Sequence, residues 1–270
     1  MRGTSSTSFA EVLRQAEAAP AADAVPDTEA EELFSMADAI DSSNQLVRML
    51  SDAGRPAAVK EAAVRSLFEG RVGPRTLELA LEVVRRRWSE QEDILDALEL
   101  LGVSTLLDLA LREGVLEQIE GELFQASRLI DGSGDLTSAL DGARDEPARR
   151  AVLLRRLLEG RVHSLTVILA ARAVGRRSEL KPARRVEEFA RFAADRRRRA
   201  FAEVASAVPL NESQQARLSA VLAGIYGREV QLNLQVDPEV VGGLRIQVGD
   251  DLYDATVLAR LSRARSSLVA

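Results

Sequence analysis

The sequence predicts a mainly α fold: two tandem helical-bundle repeats followed by a small α/β domain. Three observations predict it. First, 46% of the 270 residues are hydrophobic but only 4% are aromatic. The core must therefore be built from Leu, Val, Ile and Ala, which together with abundant Arg and Glu favour helices. Second, the chain repeats itself. Shifting it by 90 residues without gaps aligns 32–87 with 122–177 at 22 identities in 56 positions, including Glu69-Gly70-Arg71-Val72 on Glu159-Gly160-Arg161-Val162. Two copies are too few for a solenoid, so a small helical domain has been duplicated. Third, the hydrophobic period changes from helical to alternating after residue 200.

In order, a first helix covers about 6–19, and Pro20 and Pro26 separate it from the next. Leu33, Met36, Ala37 and Ile40 recur at three- and four-residue spacings, the mark of a helix face. The stretch 57–69 is amphipathic, with Val59, Ala63 and Leu67 on one side, and Gly70 and Gly73-Pro74 end it. Pro74 suits the first turn of the following helix. That helix, 75–86, is apolar nearly all round, like its counterpart 165–174, and belongs in the middle of a bundle. Residues 200–208 read as extended. Asn211 and Gln214 have capping-box spacing before a helix whose apolar face is Leu218, Val221, Leu222 and Ile225. Val230, Leu232, Leu234 and Val236 alternate with polar residues, as do Leu244, Ile246 and Val248, giving two strands joined by a turn. Thr256 opens a last helix with Val257, Leu261, Ala264 and Leu268 on one face. The expected domains are a helical bundle over 1–90, its duplicate over 91–200, and an α/β domain over 201–270.

Composition excludes much chemistry. There is no cysteine and one histidine, His163, so disulfides, thiolate metal sites and Cys nucleophiles are impossible and a Ser-His-Asp triad would need that histidine. No uncharged run exceeds ten residues, too short for a membrane-spanning helix. The first residues, MRGTSSTSFAEVL, lack the apolar core of a signal peptide. A cytoplasmic protein that reaches a membrane only through partners is expected. Neither lysine follows a glycine, so there is no phosphate loop. The acidic run Asp27 to Glu32 reads as a solvated helix N-terminus rather than a metal site. His163 reads as a turn residue and Trp88 as packing. No catalytic residue, cofactor or metal is called for.

Charge is uneven: 172–204 holds 11 basic and 5 acidic side chains, whereas 91–171 holds 8 and 15. The basic stretch from Arg184 to Arg199, interleaved with Phe189 and Phe192, has the composition of a nucleic-acid contact. It also fits an amphipathic helix with Val186, Phe189, Ala190 and Ala193 inside, which is the favoured reading. A nucleic-acid-binding regulator and a generic helical adaptor are the alternative functions.

The run VDPEVVGGLRIQVGDDLYDATVLARL resembles the C-terminal signature of the ATP synthase delta subunit family, the equivalent of the mitochondrial oligomycin-sensitivity-conferring protein. The residues that carry it are Asp237, Pro238, Gly242, Gly243, Gly249, Asp250, Asp254 and Thr256. Ala-Val-Pro-Leu at 207–210 fits as well, and both helical copies resemble the family's N-terminal domain. The extra repeat resembles the long delta subunits of actinobacteria. The resemblance implies a non-catalytic stator subunit of an F-type ATP synthase, peripheral on the cytoplasmic face of the bacterial membrane, binding no nucleic acid. The helical domain would receive alpha-subunit N-termini, with Phe9, Val12, Leu13, Arg75, Leu79 and Val83 as groove residues. The C-terminal domain would hold the b-subunit helices, with Leu258, Leu261 and Leu268 on its last helix. By position, the first copy would sit at the head's apex.

Overall fold

The apolar periodicities close into eleven helices, a strand, a further helix and three more strands, and 1, 3–18, 26–142, 146–176, 180–226, 230–237, 240, 242–249 and 251–254 are the residues that this computed structural model describes. The fold is mainly α with a small α/β portion, and the chain divides into two compact units, Met1–Ala193 and Ala194–Ala270.

The first unit contains α1 (Thr4–Ala18), α2 (Pro26–Asp41), α3 (Asn44–Ser51), α4 (Ala57–Phe68), α5 (Pro74–Arg85), α6 (Asp93–Arg112), α7 (Leu116–Gly132), α8 (Gly134–Gly142), α9 (Pro147–Leu158), α10 (Ser164–Val174) and most of α11 (Pro182–Ala200). The 90-residue shift carries α2 to α5 onto α7 to α10, to the residue for α4 and α9. It also carries α1 into α6 and α6 into α11, so α6 ends one repeat and begins the next. Its burial reflects this double duty. Ile94, Leu95, Leu98 and Leu101 join an apolar cluster with α1 to α5. Val103, Leu106, Leu107 and Ala110 join a second cluster with α7 to α11 and with Ala30 and Phe34 of α2. A helix asked to serve two cores is buried nearly all round, and α6 is, its charges Asp93 and Glu99 included. Where α2 crosses it, a side chain on Gly102 would come within 2.6 Å of the Phe34 ring; only glycine admits that approach.

The Glu-Gly-Arg-Val identity is a helix stop used twice. Glu69 and Glu159 cap α4 and α9, and the following Gly70 and Gly160 take φ of +75° and +73°, a conformation that costs other residues a Cβ clash. The face of α4 differs from expectation. Lys60, Val64 and Phe68 are inside, whereas Val59 is 46% exposed. Turning the helix by one residue buries Val64 in place of Ala63 and the Phe68 ring in place of Leu67, the larger side chain in each exchange. α9 does the same with Arg150, Leu154 and Leu158. Trp88 is buried, its indole N–H donating to the Val83 carbonyl at 2.9 Å.

The second unit contains β1 (Phe201–Ser206), α12 (Glu212–Tyr226), β2 (Gln231–Val236), β3 (Leu244–Val248) and β4 (Asp251–Asp254) in the order β2-β1-β3-β4. β1 and β2 are parallel, which requires a crossover, here α12. The β1–β3 and β3–β4 pairs are antiparallel. Ala202, Val204, Ile246 and Val248 share the face against which Leu222 packs. The capping box is reciprocal: Gln214 N–H donates to Asn211 Oδ1 at 2.9 Å, and Asn211 N–H to Gln214 Oε1 at 3.0 Å. Of the four apolar positions expected on α12, only Leu222 is buried; Val221 and Ile225 are exposed. β4 is an additional strand. Its two aspartates hid it, because a four-residue edge strand need not alternate.

Candidate partner-binding site

The described residues contain no group of three or more His, Asp or Glu placed to hold a metal. Their most concentrated charge chemistry lies inside the first unit, on α6. Glu99 is fully buried there. It accepts from Arg172 Nε at 2.9 Å, from Arg176 Nη1 at 3.1 Å and from Arg185 Nη2. Arg172 Nη1 also reaches Asp38 Oδ2 at 2.8 Å on α2, and its guanidinium stands 4.8 Å over the Phe34 ring. Arg176 Nη1 reaches Asp96 Oδ1 at 2.6 Å, and Arg185 Nη1 reaches Glu188 Oε2 at 3.0 Å. Burial opposes the charge on Arg176, but Glu99 and Asp96 outweigh it and hold the guanidinium above its ordinary pKa. The cluster ties α2, α6, α10 and α11 together. The clue in the sequence is a lone glutamate in the apolar run Leu98 to Leu107; its partners lie 73 to 86 residues away.

A second arrangement occurs twice. Glu32 accepts from Gly73 N–H at 3.0 Å and from the Thr76 hydroxyl. Ninety residues on, Glu122 accepts from His163 N–H at 2.9 Å and from Thr166 Oγ1 at 2.5 Å. Each carboxylate sits on the N-terminus of α5 or α10, where the helix dipole and free N–H groups favour an anion. The expectation of a solvated acidic run is thus corrected at two positions. Glu29 is buried between Arg75 and Thr105, and Glu32 is consumed by this clamp. His163 is a turn residue whose Nδ1 accepts from Leu165 N–H at 3.2 Å, capping α10.

Phe9, Val12, Leu13, Leu79 and Val83 come together in the first apolar cluster, where Val12 and Val83 have no exposed surface. Arg75 stands at their edge. Its Nε donates to Glu29 Oε2 at 2.8 Å and its Nη2 to the Ala16 carbonyl at 2.9 Å, tying the end of α1 to α2. In the second unit, Asp237 N–H donates to the Ser206 carbonyl at 2.9 Å. Gly242, Gly243 and Gly249 all have positive φ, and Asp254 lies opposite Arg245 in the β3–β4 ladder. Pro238, Asp250, Thr256, Leu258, Leu261 and Leu268 lie outside the described residues.

The basic stretch on α11 is largely neutralised by its own chain. Arg184 and Arg191 flank Glu187, Arg185 is buried on Glu99, and Arg198 pairs with Asp195. Burial withdraws Arg185 from any phosphate backbone, whereas the pairs of Arg184, Arg191 and Arg198 stay solvent-exposed. No helix among the described residues is long and apolar enough to cross a membrane.

The family model described as ATP synthase delta (OSCP) subunit matches residues 103–268, from the middle of α6 onward. The ATP synthase subunit delta of Beutenbergia cavernae is 41% identical over 239 residues, covering 88% of each chain. That of Kineococcus radiotolerans is 40% identical, covering 88% of this chain and 86% of its own. That of Thermobifida fusca is 39% identical over 272 residues and 99% of both chains, so it spans both helical copies. The chain belongs to the ATP synthase delta (OSCP) subunit family, as a peripheral, non-catalytic component of that complex.

Proposed function

We propose that the chain is the stator clamp of an F-type ATP synthase, joining the alpha/beta head to the b subunit of the peripheral stalk on the cytoplasmic face of the bacterial membrane. The observation that carries this reading is the end-to-end likeness to a named delta subunit, 99% of both chains, duplication included. In this reading the helical unit grips alpha-subunit N-termini and the α/β unit holds the ends of the b helices, by a helix-in-groove mode. The work required is mechanical: rotor torque is resisted without making or breaking a bond. Separate attachment points keep the clamp in place by raising the effective concentration of each contact. A core tied by buried ion pairs among α6, α10 and α11 suits a part that transmits load. The expectation that Phe9, Val12, Leu13, Leu79 and Val83 line a groove would require α1 and α5 to part, because these side chains are covered in the free chain. The test is removal of the chain from its host. The head should then wash off membranes at low ionic strength and rebind when the purified chain is added back. A head that stays attached and coupled without the chain would overturn the reading.

A further inference from the structure

The duplication provides an internal control for surface chemistry, since α4 and α9 are copies with identical bounds under the shift. Their buried positions kept their character: Lys60, Val64 and Phe68 match Arg150, Leu154 and Leu158. Their outward positions did not. α4 presents Val59, Ala62, Ala63 and Ser66, uncharged and mostly small; α9 presents Arg149, Val152, Leu153 and Arg156 in their place. These are spaced i, i+3, i+4 and i+7, one stripe along the helix. Val152 and Leu153 are 47% and 37% exposed, larger apolar side chains on a surface where the other copy carries alanines.

Charge makes the stripe one-sided. Arg149 has only a 3.6 Å contact to Glu146, both side chains well exposed, a pair of negligible strength. Arg155, Arg156 and Arg161 show no carboxylate within ion-pair distance among the described residues, and Arg156 stands where the first copy has the uncharged Ser66. We propose that the outer face of α9 docks an acidic amphipathic helix of another subunit, its apolar stripe on Val152 and Leu153 and its carboxylates on Arg149 and Arg156. Two apolar side chains at the centre with cations at both ends match that partner. Nucleic acid would leave the apolar pair facing phosphates and finds no aromatic on α9 to stack on. A membrane surface requires a longer apolar face.

The proposal rests on the chain working inside the ATP synthase, and the absence of native cysteine makes it testable there. Val152→Cys is introduced, and the purified free chain and the purified complex are treated with N-ethylmaleimide. Alkylation at residue 152 should slow at least tenfold in the complex, and adding Arg149→Glu and Arg156→Glu should restore the free-chain rate. A benzophenone maleimide at the same cysteine should cross-link to an acidic helical segment. An unprotected cysteine in a complex that contains the chain overturns this proposal alone. A chain missing from the complex overturns the stator reading and this proposal with it. Protection of the free chain by RNA or by anionic vesicles assigns the face to those ligands and overturns the protein-helix partner.

Discussion

Glu99 concentrates the consequences of single residues. Three guanidinium groups converge on one carboxylate that no water reaches, so its loss leaves cations buried with only the more exposed Asp38, Asp96 and Glu188 to answer them. Removing one partner of a buried ion cluster costs about 3–5 kcal/mol, more than the cluster contributes relative to an apolar core of equal volume. Glu99→Gln, which keeps the shape and removes the charge, should lower the unfolding free energy by an amount in that range, read as a lower urea midpoint with an unchanged m-value. A loss under about 1 kcal/mol would mean that the arginines find other partners. Asp38 is more exposed and so worth less, but it lies 134 residues from Arg172 and joins the first repeat to the second. Both residues are visible in the sequence as charges. What they hold is not, since nothing local marks a residue so distant in the chain as a partner.

Among the elements, α5 and α10 share one device, a helix start held by a glutamate from three helices back. Glu32 with Thr76 and Glu122 with Thr166 are among the identities of the repeat, so the pairs were legible as a pattern and their role was not. Burial of Glu122 opposes its ionisation. Hydrogen bonds from Thr166, Gln118 and His163 N–H outweigh that and hold its pKa below the usual carboxylate range. A depressed carboxylate stabilises the fold at neutral pH. That stabilisation falls away as pH drops below the ordinary glutamate value of about 4.3 and is gone beneath the depressed one. Glu122→Gln should therefore cost about 1 kcal/mol at neutral pH, the usual worth of a helix-start contact. It should also flatten the acid limb of a stability–pH profile measured by urea unfolding; a parallel acid limb would assign that limb to other groups. The α4 face was misread by one position for a related reason. Two adjacent stripes of a short helix are nearly equally apolar, and which one turns inward depends on the volume that the neighbours leave open.

The whole helical unit is governed by α6, which no local signal ties to two cores. Domain limits at 90 and 91 cut the chain just before it. A fragment starting at residue 91 would keep α6 to α11 but bare Ile94, Leu95, Leu98 and Leu101, each worth about 1.5–3 kcal/mol when fully buried. Such a fragment should bind ANS, self-associate and melt below the full chain; equal stability and no dye binding would show that α6 needs only its second core. The same sharing makes deletion of the first copy a poor probe of head binding, since the damage would spread into the second. Composition, period and the internal repeat were enough to give helices, strands, their duplication and, through the motif around Asp237 to Thr256, the family, because each of these is written in residues near one another in sequence. The tertiary structure alone decided that the copies share a helix, that Glu99 gathers arginines from both later helices, and that α4 and α9 turn different chemistry to solvent. These depend on which faces meet in three dimensions, and a hydrophobic period gives the spacing of a face without naming its partner.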